Sequence, residues 1–222
     1  MWQLYKHRKG PLYLRSFSVV HSENMESLEA YRCLYDNDTS PHWVRPSEMF
    51  FEQVDGKARF EHLGDVEVLS PEDHEEVHLF GYDTWKKDGE SQTDYCTRFA
   101  DFPNYLKGRR YIFRLLNGEI AACLNTIRLS KDLSGIASVS TSPKYRKQGY
   151  ASFLLEAVAG ILEDNEGVDR LLLFTDLSST LYTRLRFKGL KKSFPDNEGV
   201  IAMLKAKSQL RPDEEKYLLN VF

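Results

Sequence analysis

The chain has 222 residues and a mass of 25.8 kDa, with 41% hydrophobic and 28% charged residues, enough to bury one sizeable core and a smaller satellite. A formal charge of −3 and a pI near 6.1 give no overall electrostatic reason for a nucleic-acid partner, so any phosphate binding has to be local. No run approaches the roughly 20 apolar residues of a bilayer span, and the opening MWQLYKHRKGPLYL has no apolar stretch behind its basic residues, so a cytoplasmic protein with no membrane partner is expected.

Residues 1–63 hold a short apolar run, LYLRSF, a predicted helix from Glu23 to Tyr35 after HSEN, and then the turn formers YDNDTSPHW. With Trp2, Tyr5, Tyr13, Trp43, Phe50 and Phe51 this segment is too apolar for a disordered tail. It is expected to be a smaller α/β unit packed on the core; a lid over a substrate groove and a homodimer contact are the other readings. Near Gly64 the pattern becomes regular. VEVLS reads as a strand, and Ser70-Pro71-Glu72-Asp73 reads as a helix start, with Pro suited to the first turn and acids to the positive helix end. His74 to His78, HEEVH, has the spacing of a zinc-binding H-E-x-x-H pair. It sits in the first turns of a polar helix with no evident third ligand, so a solvated helix start and no metal are expected. Cys33, Cys96 and Cys123 are odd in number and widely spaced, which suggests neither a disulfide framework nor a cysteine-ligated zinc.

From Arg109 onward, RRYIFRLL, Asn117-Gly118 and EIAACLNTIRL form two β-rich runs around a strong hairpin signal. Alternation in KGRRYIFR sends the arginines to one face, read as a solvated strand face rather than a nucleic-acid patch. GIASVST is the next strand. Tyr150, Phe153, Leu154, Ala157, Val158, Ile161 and Leu162 then follow the spacing of a one-sided helix that ends at EDNEG. VDRLLLFTD is a continuous apolar run typical of a covered strand, and strand, helix, strand in this order predicts a parallel βαβ unit. Leu177, Leu181 and Leu185 mark a further helix, GVIAMLKA a last strand, and RPDEEKYLLNVF a short helical tail over 207–222.

The loop between GIASVST and the Tyr150 helix reads SPKYRKQGYA. At such a corner the free amides of a helix N-terminus point outward and bind anions, and Arg146 and Lys147 add charge. Neither G-x-x-x-x-G-K-[ST] nor G-x-G-x-x-G is present; R-x-x-G-x-A is. Strand, R-x-x-G-x-A and amphipathic helix in succession resemble the acetyl-CoA-binding motif of GNAT-type N-acetyltransferases, [QR]-x-x-G-x-[GA]. A second match, LYTRLRF at Leu181 to Phe187, is similar to the family's L-Y-x-x-x-G-F, with Arg186 where Gly is usual.

The resemblance covers about 64–206 and implies a mixed central sheet with flanking helices, an α/β (α+β) fold. It also implies acetyl-CoA as cosubstrate, held at the pyrophosphate by Arg146, Lys147, Gln148, Gly149, Tyr150 and Ala151. Main-chain groups of Val139 and Thr141 would meet the pantetheine arm, with Val139 beside the thioester carbonyl, and Tyr182 would stand at the family's Tyr position. The implied reaction is acyl transfer to a primary amine on a small molecule or peptide. A tyrosine hydroxyl, with a pKa near 10, is suited to protonate a departing thiolate, which makes Tyr182 the candidate general acid. The base is unassigned among Glu119, Asp132, Asp176 and water. Because GIASVST carries no carboxylate, the alternative is a catalytically silent acyl-CoA-binding module.

Overall fold

Most of the β-rich runs assemble into one continuous sheet. The computed structural model describes residues 2–35, 37–100, 108–175, 180–193 and 200–206. The N-terminal segment supplies β1 (Trp2–His7), β2 (Leu12–Val20), β3 (Ser27–Cys33), β4 (His42–Pro46), α1 (Ser47–Phe51) and a small hairpin of β5 (Gln53–Val54) and β6 (Lys57–Ala58). β7 (Phe60–Val68) leads into α2 (His74–Leu79), α3 (Tyr82–Trp85) and α4 (Gln92–Ala100). β8 (Arg109–Leu115), β9 (Ile120–Arg128) and β10 (Leu133–Thr141) follow, then α5 (Tyr150–Glu166), β11 (Arg170–Thr175), α6 (Thr180–Arg184), β12 (Lys188–Ser193) and β13 (Ile201–Ala206). Eleven strands run in the order β12-β13-β11-β10-β9-β8-β7-β1-β2-β3-β4. β10 and β11, joined through α5, are parallel as a βαβ unit requires, and the other described pairs are antiparallel. The fold is therefore mixed α/β with helices flanking a large, mostly antiparallel sheet. The predicted tail helix and Asp176 lie outside the described residues, and β12 had no clear sequence signal.

The helix expected from Glu23 to Tyr35 is instead β3, paired on one side with β2 and on the other with β4. Glu29, Tyr31 and Cys33 alternate inward, each buried. Glu29 hid the period of two, because a carboxylate reads as solvent-facing. Here it accepts hydrogen bonds from Arg15 Nε at 2.5 Å and Ser47 Oγ at 2.7 Å, which make its burial tolerable. Long-range pairing overrides the local helix preference.

The sheet curls around α5. In a flat sheet β3 and β10 would lie about 29 Å apart, at roughly 4.8 Å per strand, yet both reach this one helix. Leu4 of β1, Leu14 of β2, Phe113 of β8 and Ile136 of β10 share a buried cluster with Leu154, Leu155, Val158 and Ile161 of α5. From β3, Arg32 is 7% exposed and forms ion pairs with Glu163 and Asp164. A Cβ on Gly160 would meet Arg32 Nε at 2.9 Å, so the mid-helix glycine admits this contact. The one-sided helix of the sequence reading is thus buried on more than one side, Leu155 and Gly160 included.

The outer face of β8 also differs from expectation. Arg110 and Arg114 face neighbouring elements rather than open solvent. Arg114 pairs with Glu67 at 3.1 Å and Asp73 at 2.7 Å, while Arg110 Nε donates to Asn125 Oδ1 at 2.6 Å and Nη1 lies 3.1 Å from His78 Nδ1. The polar start of α2 is likewise not wholly solvated, since Val77 and His78 are buried against the sheet. Burial, then the Arg110 charge and His74, push the His78 imidazole down to about 4. It is therefore neutral at pH 7, and the Arg110 N–H takes up its Nδ1 lone pair.

Candidate functional site

β10 and β11 pair only from Leu133 to Gly135 and from Arg170 to Leu172. Beyond Gly135 their ladder ends. A bulge, with Ser138 at φ 52°, shifts the register of β10 against β9 between Ala137 and Ser140. After it, Ser142 N–H donates to Ala121 O at 2.9 Å. By alternation along an antiparallel strand, the main-chain N–H and C=O groups of Val139 and Thr141 point away from β9, toward the side where β11 no longer pairs. The Val139 side chain packs on the main core, whereas Ser138 and Ser140 line the opposite face.

A 3₁₀ turn at Pro143–Tyr145 follows, with Tyr145 N–H bonded to Ser142 O at 2.8 Å. It is pinned to the β8–β9 turn through Glu119, which accepts from Lys144 Nζ at 2.6 and 2.8 Å, from Asn117 Nδ2 at 2.5 Å, and from the Tyr145 hydroxyl. Lys144 chiefly, then Tyr145, hold the Glu119 carboxyl below its usual range. No local signal marks this link between positions 25 residues apart, which commits Glu119 to the loop. Asp132, at the β9–β10 turn and paired with Arg170, sits at the opposite end of β10 from Thr141. Neither of these two base candidates faces the gap.

Arg146, Lys147, Gln148 and Gly149 are exposed, and Tyr150 and Ala151 half-buried. Arg146 folds back, with Nε 3.4 Å from Thr141 O and Nη2 3.3 Å from Phe80 O, tying the loop to the end of α2. Lys147 and Gly149 are left-handed, with φ 64° and 88°. Gly149 is the N-cap of α5 and no side chain caps the helix. A Cβ there would also touch the Phe153 ring at 3.4 Å. Tyr150 wedges against Phe113 (centroids 5.6 Å apart) and Tyr145 (5.9 Å), fixing the first helical turn. The arrangement is a left-handed, uncapped helix start with exposed basic side chains around it, and its chemistry suits a bound anion.

Tyr182 lies on α6, which follows the carboxyl end of β11, so topology brings it to the sheet edge where β10 also ends. It is half-buried on the main core, 5.9 Å from the Phe187 ring, and burial raises its pKa. A protonated phenol at neutral pH follows. A cavity of about 440 Å³ lies elsewhere, between α5, β13 and the loop after β3, lined by Arg32, Leu34, Glu156, Glu163 and Lys205. It is remote from the α5 N-terminus, and its size alone does not make it the reactive centre.

Comparison with known proteins gives a family for each part. Residues 69–186 match the acetyltransferase (GNAT) family, and residues 3–62 match a family of proteins of unknown function, DUF1653. No curated protein matches the chain. Among solved structures, mutant forms of the spermidine/spermine N-acetyltransferase SpeG from Vibrio cholerae superpose with a TM-score of 0.51 at 12% identity, covering 71% of this chain and 98% of that one. A GNAT family N-acetyltransferase (YhbS) from Escherichia coli in complex with CoA gives 0.51 at 16% identity, covering 69% and 84%. At these identities the likeness is one of fold.

Proposed function

The chain belongs to the acetyltransferase (GNAT) family, and on that premise we propose that it transfers an acetyl or other short acyl group from acetyl-CoA to a primary amine by direct attack. The observation that carries this reading is the early end of the β10–β11 ladder beside an uncapped α5. Amides at Gly149, Tyr150 and Ala151, with Arg146, Lys147 and Gln148 around them, hold the pyrophosphate. Main-chain groups of Val139 and Thr141 take the pantetheine arm, Val139 nearest the thioester carbonyl. The amine, having lost its ammonium proton to water, forms the C–N bond as the C–S bond breaks, and the nitrogen gives a second proton to water as the amide forms. Tyr182 gives its hydroxyl proton to the departing sulfur, and solvent restores it. In the same reading the chain divides at about residue 63, with 64–206 as the catalytic unit; the separate family matches to 3–62 and 69–186 support this.

A second reading, a catalytically silent acyl-CoA-binding module, draws on one observation: neither Glu119 nor Asp132 faces the gap. Two measurements separate them. Acetyl-CoA at a hundred times its Kd stabilises the fold by about 2.7 kcal/mol in thermal unfolding, and an amine panel releases free thiol. Tyr182→Phe slows thiol release about 100-fold without weakening CoA binding. A thermal shift without thiol from any amine selects the silent module, and no shift removes both readings.

A further inference from the structure

A carboxylate is fastened to the loop that is proposed to hold an anion. Glu119 immediately precedes β9, and its oxygens accept from Lys144 Nζ at 2.6 and 2.8 Å, from Asn117 Nδ2 and from the Tyr145 hydroxyl. Asn117 Oδ1 in turn accepts from the Glu119 N–H at 3.1 Å, and Asn117 Nδ2 lies 3.4 Å from the Tyr145 hydroxyl. Ammonium, amide and phenol donors therefore meet on one carboxylate, in a network that closes on itself. The Glu119 and Lys144 side chains are 42% and 63% exposed, a setting in which an ion pair adds little to the stability of a fold. Holding these side chains in one arrangement costs rotamer freedom all the same. What the network gains is a fixed place for the residues it ties down.

Tyr145 carries that restraint to the helix. Its ring stands edge-on to Tyr150, the first residue of α5, with centroids 5.9 Å apart and planes at 89°, while Lys144 Nζ lies 5.1 Å from the centroid of the Tyr145 ring. Further along the loop, Gln148 Nε2 reaches Lys144 O at 3.5 Å. The stretch from Ser142 to Tyr150 is thus held to β9 through Ser142 and Ala121, to Glu119 through Lys144 and Tyr145, and to the first turn of α5 through the two tyrosine rings. Amides that must be brought into line when a ligand arrives lower its affinity, and amides already fixed do not.

We infer that Glu119 is a positioning residue for the CoA pyrophosphate, aligning the amides at the start of α5 through Tyr145 and favouring an anion there although its own charge repels one; this rests on the acyl-CoA reading above. Charge and positioning predict opposite signs. Were Glu119 only a negative charge near the site, Glu119→Gln would release the Lys144 ammonium and tighten CoA binding. As a positioning residue, its loss should weaken CoA about tenfold in calorimetry. The melting temperature of the free protein should move by less than about 4 °C, as the exposure of the pair requires. Tyr145→Phe, which keeps the ring and loses the hydroxyl, should weaken CoA by a similar or smaller factor. The double variant should fall no further than the worse single one, since both changes remove the same link.

A second acyl donor separates positioning from damage to the fold. Acetyl-pantetheine has the thioester and the arm but no pyrophosphate. Glu119→Gln should raise the KM for acetyl-CoA about tenfold with kcat unchanged, and should use acetyl-pantetheine as well as the wild type does. Equal losses with both donors, unchanged or tighter CoA binding in Glu119→Gln, or additive losses in the double variant would each overturn the assignment. If the wild type binds CoA but no amine turns over, acyl transfer fails, and the ratio of CoA dissociation constants between Glu119→Gln and the wild type still decides for or against Glu119. If the wild type binds no CoA, the site and the role of Glu119 fall together.

Discussion

The two ends of α5 are finished in opposite ways, although both use a left-handed glycine. At the C-terminal end, Gly167 (φ 64°) turns the chain so that its N–H reaches Glu163 O at 3.1 Å and Val168 N–H reaches Leu162 O at 3.2 Å. Arg128 Nη2 takes Glu166 O at 3.0 Å, and Arg32 takes the carboxylates of Glu163 and Asp164. The protein answers its own polar groups there. At the N-terminal end, Gly149 (φ 88°) brings no capping side chain, where Ser, Thr, Asp or Asn is the usual choice. One end of the helix is closed by the protein's own groups, and the other, with no side-chain cap, is the end proposed above to hold the CoA pyrophosphate. The difference teaches where to look in such a fold: at main-chain donors the structure leaves to something outside itself.

Breaking the closed end should cost stability and leave CoA affinity alone. Arg32→Ala removes a guanidinium whose side chain is 8% exposed and takes an ion-pair partner from Glu163 and from Asp164, the latter keeping His42 Nε2 at 2.9 Å. The expected loss is roughly 3 kcal/mol, read as a drop in melting temperature of about 6–12 °C for a chain of this size. The Kd for CoA should change less than about threefold; a parallel loss of affinity would mean that the two ends are mechanically coupled. The converse is Gly149→Val. A β-branched residue at φ 88° is strained by about 1–2 kcal/mol and would press on the Phe153 ring. The loop should relax out of its left-handed form, with CoA binding weakened about tenfold, some 1.4 kcal/mol, and a smaller fall in melting temperature than for Arg32→Ala. Unchanged affinity would place the anion elsewhere.

The open end was more legible in sequence than the closed one, for a physical reason. The Asn117-Gly118 turn, the strand runs on either side and the R-x-x-G-x-A loop are local signals, set by which backbone angles a residue tolerates. They were readable within windows of about ten residues. Arg32 and Asp164 are 132 positions apart, and nothing near Gly160 in the sequence marks it as the place where Arg32 packs on the helix. Glu29 in β3 and Arg110 in β8 misled for the same reason. A charged residue carries no local sign of burial when the partner that covers it is distant in the chain. The bulge at Ser138, a non-glycine residue at φ 52°, also left no local mark.

Arg186 offers the smallest and most exact variation on the comparison. α6 ends as α5 does, with a left-handed residue: Arg186 has φ 68°, and Phe187 N–H returns to Tyr182 O at 2.9 Å. Glycine occupies this position at both ends of α5 and in the L-Y-x-x-x-G-F pattern that LYTRLRF otherwise follows. The backbone has kept the glycine conformation with a side chain that tolerates it poorly, at a cost of about 1 kcal/mol. Arg186→Gly should therefore raise the melting temperature by about 2–4 °C and leave kcat unchanged, because the hydrogen bond that holds the Tyr182 carbonyl survives. A fall instead would mean that the contacts of the guanidinium, which lines the cleft beside α5, outweigh the strain. Arg186 would then belong with Arg32, among the side chains that close the structure.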